Sequence, residues 1–324
     1  MRRFVRFLSV LWLLASAMAA TAQAPSYPTR PVRIVIPYAA GGGADALSRQ
    51  MSVALDRSLG QRFVVESRPG GNTSIAAVAV ANAPADGHTL LMTGGTTMAL
   101  QPLVQEKLAY DPMADFVPVS LLTTSPFMLV VSTELGVNSL DDLLKLARSQ
   151  PGKLAYASNG IGGPVHLFME LLAQRAGVQL NHVPYKGFAP ALPDLAAGRT
   201  PLTMIDSGSI ESLVKAGKVK VLGITSPQRS PQFPDVPTVA EQGFPGYSAE
   251  TWFALYAPAK TPPAVVGQLS EALRDWLGRT EAQDALRALG QNARWAAPEA
   301  VRQRILSEQQ AYAPLVKAAN IRAE

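Results

Sequence analysis

The sequence predicts a two-lobed α/β protein in which each lobe is a mainly parallel sheet flanked by helices, and three observations support this. Short apolar segments alternate with helical patterns of about 10 to 15 residues, which is the rhythm of βαβ units. Clusters of glycines and hydroxyl side chains follow four of the apolar segments. The 324 residues, less an export signal, suffice for two domains of roughly 150 residues each.

The first 24 residues have the three parts of a secretory signal peptide. A positively charged n-region with three arginines precedes the apolar stretch 7–20. The segment Ala22-Gln23-Ala24 is a small-residue cleavage site. The stretch is shorter than the roughly 20 residues of a membrane-spanning helix. Residues 1–24 are therefore predicted to be removed on export to the periplasm. An uncleaved amphipathic anchor is the alternative, which Pro25 disfavours because it breaks a helix.

The composition excludes several classes of function. Removal of the signal takes three of the 29 basic residues and leaves 26 against 24 acidic ones, a net charge of +2. That balance does not favour nucleic acid as a partner. The absence of cysteine excludes disulfides, thiol catalysis and thiolate metal sites. The three histidines are scattered, so neither a metal site nor a cofactor is predicted.

Periodicity and boundary residues place the elements along the chain. Strands are predicted at 89–93, 154–157, 201–205 and 219–225. Helices are predicted at 44–55, 75–82, 140–149, 165–176, 210–216, 263–279 and 298–315. Ser139, three residues before Asp142, predicts a helix N-cap. Three glycines predict helix C-terminal ends: Gly177, Gly198 and Gly217. The proline-rich stretch 227–245 predicts a long irregular connection.

A run of three glycines, Gly41 to Gly43, joins the apolar run that starts at Val32 to a helical pattern. Bare backbone lets a ligand approach the main chain closely, and the free N–H groups of a helix start carry partial positive charge. The pattern therefore indicates a site for a small carboxylate or phosphate. A glycine-rich turn that only packs the helix on its strand is the alternative.

Four polar turns of this kind follow predicted strands. We name them turn A (38–43), turn B (94–97), turn C (158–163) and turn D (206–209). In open α/β sheets, ligands bind outside the carboxyl ends of the strands, so the four turns predict one pocket lined by backbone. None of the four contains lysine or arginine. The alternative is that such turns need small residues for their geometry alone.

Several segments match one family in spacing and order. They are 27–37 with the glycine loop to Asp45, then 60–70, 85–91, 110–120, 182–187, 191–198 and 230–241. On these segments the chain resembles the Bug family of periplasmic solute-binding proteins of tripartite tricarboxylate transporters. The resemblance covers essentially the whole mature chain.

The resemblance implies a two-lobed, Venus-flytrap receptor whose chain crosses between the lobes twice. The crossings fall near 122–126 and 250–252, so lobe one would comprise 25–123 and 252–324, and lobe two 124–251. Such a receptor captures a small organic carboxylate in the interlobe cleft and delivers it to the membrane components of its transporter. It is expected to act as a monomer.

The resemblance also implies which residues bind the ligand. Lobe one would contribute Tyr38, Ala39, Ala40, Gly41, Gly42, Gly43, Gly94, Gly95, Thr96 and Thr97. Lobe two would contribute Ser158, Asn159, Gly160, Gly162, Gly163, His166, Tyr185 and Asp206.

Four chemistry-bearing side chains need a separate interpretation. Asp45 lies in the first turn of a helix and is expected to pin the glycine loop instead of touching an anion. His166 has apolar neighbours and is equally well interpreted as a half-buried structural histidine, and His182 is expected to be structural. Asp206 would repel a carboxylate unless it accepts from a hydroxyl, an ammonium, water or a backbone N–H.

The identity of the ligand stays open. The run Gly160-Ile161-Gly162-Gly163-Pro164 replaces a serine-containing run that is more usual in the family. The sequence therefore leaves open whether the carboxylate is aliphatic or aromatic and whether it has one or two acid groups. It also leaves open whether Trp252 contacts the ligand. Neither a G-x-S-x-G elbow, an H-E-x-x-H helix nor a P-loop is present, which disfavours an exported hydrolase. A receptor that signals to a membrane sensor is the other alternative.

Overall fold

A computed structural model describes residues 27–230 and 233–322, and the predicted signal peptide lies outside them. The strands of the described part are β1 Val32–Ile36, β2 Phe63–Ser67, β3 Thr89–Gly94, β4 Phe116–Pro126, β5 Met128–Ser132, β6 Ala155–Ser158, β7 Asn181–Pro184, β8 Leu202–Ile205, β9 Val219–Ile224, β10 Glu250–Pro258 and β11 Asn292–Ala296. Its helices are α1 Gly43–Leu59, α2 Ser74–Ala81, α3 Gln101–Val104, α4 Leu140–Ser149, α5 Pro164–Ala176, α6 Leu192–Ala196, α7 Ser207–Lys215, α8 Pro263–Leu277, α9 Thr280–Ala288 and α10 Pro298–Ala318.

The boundary signals of the sequence are confirmed. Ser139 Oγ accepts the Asp142 N–H at 3.1 Å at the start of α4, which spans the predicted residues. The three glycines predicted to end helices, at 177, 198 and 217, all have positive φ. The described residues of 227–245 form neither a helix nor a named strand. They lie against β9, where the Val239 N–H donates to the Ile224 carbonyl at 2.8 Å.

The strands form two sheets, and helices flank both. Sheet 1 has the order β11-β4-β10-β3-β1-β2, and sheet 2 has the order β7-β6-β8-β5-β9. In sheet 1, β1 pairs parallel with β2 and β3, whereas β10 runs antiparallel to β3 and β4. In sheet 2, β6 pairs parallel with β7 and β8, whereas β5 runs antiparallel to β8 and β9. The two-lobed α/β fold is confirmed.

Both sheets are mixed, whereas the sequence predicts mainly parallel ones. The cause is the passage of the chain between the sheets. Strand β4 leads out of sheet 1 into β5 of sheet 2, and β10 returns to sheet 1, so β4 and β10 run in opposite directions side by side. The antiparallel pairs in both sheets follow from these passing strands.

The two passages between the sheets touch each other. Phe127 separates β4 from β5, and its N–H donates to Thr225 Oγ1 at 2.9 Å. The Thr225 N–H donates back to the Phe127 carbonyl at 3.0 Å. The chain re-enters sheet 1 at Glu250, which pairs with Pro126. The lobe boundaries at 123/124 and 251/252 stay a prediction.

The topology brings the carboxyl ends of the strands together at one boundary between the sheets. The end of β4 lies at this boundary because β5 follows at once, and the ends of β3 and β1 lie beside it because β3 runs antiparallel to β10. Met128, at the start of β5, pairs with Ile205 at the end of β8, and β6 is parallel to β8. Turns A and B therefore face turns C and D across this boundary.

Packing also joins the two lobes away from the crossing strands. Helix α5 of the second sheet lies against α10, which covers sheet 1. The rings of Phe168 and Tyr312 are 6.1 Å apart at this contact. One hydrophobic cluster runs from Leu91 and Trp252 of sheet 1 to Phe168 and Tyr156 of the second lobe. The lobes thus share apolar packing at one side of the cleft.

Candidate functional site

Turn A leads from β1 into α1, and Asp45 ties it to that helix. Gly41 has a φ of +88°, and its N–H donates to Asp45 Oδ2 at 3.0 Å. Arg49 Nε donates to the same oxygen at 3.0 Å, and this hydrogen bond, followed by that of Gly41, holds the pKa of the Asp45 carboxyl below its usual value. Ala39, Ala40 and the three glycines are exposed.

The start of α1 offers backbone donors to the cleft. Gly42 occupies the N-cap position, and no side chain caps the helix there. Because the first N–H groups of a helix have no acceptor within the helix, an uncapped start attracts an anion from outside. Turn A therefore presents main-chain donors without a cationic side chain of its own.

Turn B is packed tightly against β10. A Cβ on Gly94 would lie 2.1 Å from the Trp252 carbonyl oxygen, and one on Gly95 would lie 2.8 Å from Trp252 Nε1. Close packing alone therefore requires both glycines. Thr97 is fully buried, and its hydroxyl oxygen lies 2.5 Å from Thr93 Oγ1. The predicted contribution of Thr97 to the ligand site has no support in this geometry, because its hydroxyl is engaged inside lobe one.

A cavity of about 170 Å³ lies between the lobes beside turn B. Tyr38, Thr96 and Trp252 line it from the first lobe, and Pro164 and Phe168 line it from the second. The Tyr38 ring meets Phe253 edge-on at 5.6 Å, and burial raises the pKa of its hydroxyl. Turn B and the start of α5 thus share one space.

An ion-pair network closes this cavity at the crossing strand. Trp252 Nε1 donates to Glu308 Oε1 at 2.6 Å, and Arg304 Nε donates to the same oxygen at 3.2 Å. Arg304 also reaches Glu250 Oε1 at 2.9 Å and lies 5.4 Å above the Trp252 ring. Burial raises the pKa of Glu308 to about 7, against the opposing effect of Arg304. The indole N–H of Trp252 is therefore used within the protein.

The side chains of two neutral histidines support turn C through hydrogen bonds. His166 Nδ1 accepts the Gly162 N–H at 3.1 Å, and Ser158 Oγ lies 2.6 Å from His182 Nε2. The two rings stack with centroids 3.8 Å apart. The pKa of each imidazole is lowered to about 4, by burial in both and, for His166, also by the neighbouring His182. His166 therefore shapes the turn through its backbone.

The backbone of turn C is fixed at both ends. The Gly160 N–H donates to Ser158 Oγ at 3.2 Å, and that hydroxyl donates to the Gly160 carbonyl at 3.1 Å. Gly160 and Gly162 have φ values of +138° and +71°, which favour glycine. Gly163 is the N-cap of α5 without a side-chain cap, and Asn159 is exposed beside it.

Two further predicted ligand side chains have partners inside lobe two. The Tyr185 hydroxyl donates to Asp194 Oδ2 at 2.6 Å and lies 3.1 Å from Thr200 Oγ1. Asp206 caps α7 and accepts both the N–H and the hydroxyl of Ser209, at 2.9 and 2.8 Å. The Asp206 carboxylate therefore has its partners at the start of its own helix, and its position needs no ligand to explain it.

The sequence reasoning missed the turn before β11. Gln291 is buried, and its Nε2 donates to the Gly43 carbonyl at 3.3 Å while its Oε1 accepts from Thr123 at 2.8 Å. A Cβ on Gly290 would lie 3.7 Å from Ser207 Oγ, so this turn spans from turn A to turn D. Gly290 follows α9 after one intervening residue, Leu289, and a glycine just after a helical run is a signal that could have identified this turn.

Two features of the described residues concern other classes of function. Within residues 27–230 and 233–322, no three His, Cys, Asp or Glu side chains come together in a way that could hold a metal ion. Among the helices of that same part, none has the length and apolarity that crossing a membrane requires.

Two α/β lobes joined by paired passing strands, with polar turns facing one another across a cleft, define a two-lobed solute-binding protein. Residues 47–321 match the sequence model of the tripartite tricarboxylate transporter family receptor, TctC, and the chain belongs to this family. BugT of Bordetella pertussis is 34% identical over 315 residues, which cover 96% of this chain and 97% of BugT. The Bug-type resemblance is therefore confirmed.

Solved structures support the same assignment. A Rhodopseudomonas palustris protein with adipate is 36% identical, covers 91% of this chain and 99% of its own, and has a TM-score of 0.77. MatC of the same organism, with bound malate, is 31% identical, covers 90% and 100%, and has a TM-score of 0.72. The protein is a solute-binding receptor of the tripartite tricarboxylate transporter type.

Proposed function

We propose that the protein captures a small organic carboxylate in the interlobe cleft and delivers it to the membrane components of a tripartite tricarboxylate transporter. The observation that carries this is the uncapped start of α1 at turn A, which faces lobe two and bears no cation. Two related receptors hold carboxylates in their structures, adipate and malate. Catalysis is not part of the proposal, because membership of a receptor family supports binding alone.

Recognition in this proposal is by backbone. The α1 N-terminus carries about half a positive charge, and its N–H groups are the donors that a carboxylate meets first. Turn A and turn C contact the ligand through their main chains, and Asp45 and His166 fix those main chains. Thr97, Tyr185 and Asp206 act on the turns from inside each lobe, because their polar groups already have partners there.

The proposed function includes export of the protein, its location and its division into lobes. Residues 1–24 direct export, and the mature protein works in the periplasm as a monomer. The lobes are 25–123 with 252–324, and 124–251. The signal-peptide pattern and the pairing of Glu250 with Pro126 at the crossing support this division.

A thermal-shift screen of residues 25–324 against organic carboxylates, amines and neutral sugars tests the function. We expect at least one carboxylate to raise the melting temperature, since ligand at 100 times its dissociation constant stabilises the native state by about 2.7 kcal/mol. Shifts from amines or sugars alone would contradict the proposal.

Calorimetric titration of two variants tests the backbone mechanism. Gly42 has a φ of −85°, and the nearest atom to a Cβ there is the Ala39 carbonyl oxygen at 3.9 Å, so Gly42→Val should fold. We expect it to lose carboxylate binding, because the branched side chain covers the donors of α1. Arg33→Ala is the control, since its partner is Glu66 at 3.5 Å on the neighbouring strand. Lost binding in Arg33→Ala with normal binding in Gly42→Val would overturn the mechanism.

A further inference from the structure

Ile161 differs in character from the rest of turn C. It is 52% exposed, and it is the one exposed large hydrophobic residue that the described part of the chain places in any of turns A to D. Burying such a side chain is favourable in proportion to the apolar area removed from water. An isoleucine left in water at the cleft therefore has free energy to gain from an apolar surface that arrives there.

The turn holds Ile161 in a fixed place. Gly160 on one side is bonded to Ser158, and Gly162 on the other side is bonded to His166. The turn follows β6, whose carboxyl end lies at the boundary with lobe one. Since its neighbours are already tied, Ile161 loses little conformational freedom when a ligand is enclosed.

Turn C itself offers no charge that would select a second polar group, and the charged groups Glu250 and Glu308, paired with Arg304, lie beside the cavity at turn B. His166 and His182 are neutral at physiological pH, with the pKa of each lowered to about 4 by burial. Asp206 is engaged by Ser209, and turn C has no lysine or arginine. On the lobe-one side, the half-buried rings of Tyr38 and Phe253 add apolar surface. Once the backbone has met one carboxylate, apolar contact is what turn C still offers.

We propose that Ile161 is a specificity-determining residue that favours carboxylates with an unsubstituted carbon chain over hydroxylated carboxylates of the same length. The inference rests on the proposed function and names the ligand class of the same cleft. On closure, the side chain is covered by the carbon chain of the ligand. A hydroxyl placed there would lose its water without gaining a partner.

Succinate and malate form a matched pair, because they share a four-carbon skeleton and differ by one hydroxyl group. Titration calorimetry of residues 25–324 should show tighter binding of succinate than of malate. In Ile161→Ser, we expect this ratio of dissociation constants to fall by about four- to fifteenfold, as for the loss of one or two buried methylene groups. Ile161→Val should keep most of the ratio.

Val53→Ser is the matched control, since Val53 is 48% exposed on α1 outside the four turns. It should leave both affinities unchanged. The inference is overturned by a wild-type protein that binds malate as tightly as succinate, or by an Ile161→Ser variant that weakens both equally or neither. If neither dicarboxylate nor any other carboxylate of the panel binds the wild type, the proposed function itself fails.

Discussion

Turn B of lobe one and turn C of lobe two both place glycines after a strand, at the same boundary between the sheets. In turn B, β10 occupies the space beside the chain, so that a Cβ on Gly94 would lie 2.1 Å from the Trp252 carbonyl oxygen. In turn C, no heavy atom lies within 4 Å of a Cβ on Gly160, whose φ is +138°. Glycine thus serves close packing in one turn and backbone geometry beside open space in the other.

The largest effect is expected from Gly94→Ala. The new Cβ would meet a carbonyl oxygen of a central strand, which cannot move without breaking the pairing of β10 with β3 and β4. We expect a loss of about 4 kcal/mol of unfolding free energy, or failure to fold. Urea unfolding followed by circular dichroism measures it. A variant with the wild-type urea midpoint would show that turn B accommodates the methyl group. Close packing would then not be the reason for glycine in turn B.

Acid should loosen turn C. His166 and His182 have a pKa of about 4 in the folded protein against an ordinary value of 6.5, so the unfolded chain binds protons first as the pH falls. The stability that the neutral pair contributes is present above pH 6.5 and is lost towards pH 4, by up to about 3 kcal/mol for each imidazole before solvent screening reduces it. Unfolding at pH 7 and pH 4.5 tests this. His182→Gln should flatten the dependence, and an equal slope in the variant would contradict the assignment.

The pH dependence of stability should have the opposite sign at turn B, because Glu308 lies beside Gly95. Its pKa of about 7 exceeds the ordinary 4.5, so the folded state favours the protonated carboxyl. That contribution is present below pH 4.5 and is lost as the pH rises through 7, by about 3 kcal/mol. Relative to Glu308→Gln, the wild type should therefore lose stability between pH 5 and pH 8. A relative gain would mean that the ion pair with Arg304 outweighs burial.

The smallest effects are expected from alanine at Gly162 and at Gly42. Gly162→Ala forces alanine to a φ of +71° and should cost about 1 kcal/mol. Gly42→Ala, at a φ of −85° with free space around it, should stay within about 0.5 kcal/mol of the wild type. Thermal unfolding of the two alanine variants compares them directly. Equal losses would show that φ does not distinguish turn A from turn C.

Much of the fold could be predicted because its signals are local. Helix α4 has its cap at Ser139 and an apolar spacing that the sequence displays within ten residues. The passing strand β4 was not identified as a strand, since it is buried along most of its length and does not alternate. Its antiparallel partner β10 begins more than a hundred residues later, and no local pattern indicates that pairing.

The candidate site was predictable as a set of turns but not as a set of contacts. The four turns meet because strand ends meet, which the order of elements implies. The partner of Gly43 is Gln291, 248 residues away, and periodicity carries no information on such a pair. Asp206, with a serine three residues later, could have been identified as a helix cap from the sequence. The expectation that it contributes to an anion site obscured this interpretation.

Trp252 sits where the chain re-enters lobe one, with Glu308 on its indole nitrogen and Arg304 above its ring. The emission of an indole responds to charges placed this close to it. Pro164 and Phe168 of lobe two line the same cavity as this ring, so a movement of lobe two changes the surroundings of the indole, and intrinsic fluorescence should report the opening and closing of the receptor. Trp276 and Trp295 lie on α8 and β11 and supply a background signal. Trp252 is thus an intrinsic fluorescence probe, and the rate of ligand binding can be measured without an added dye.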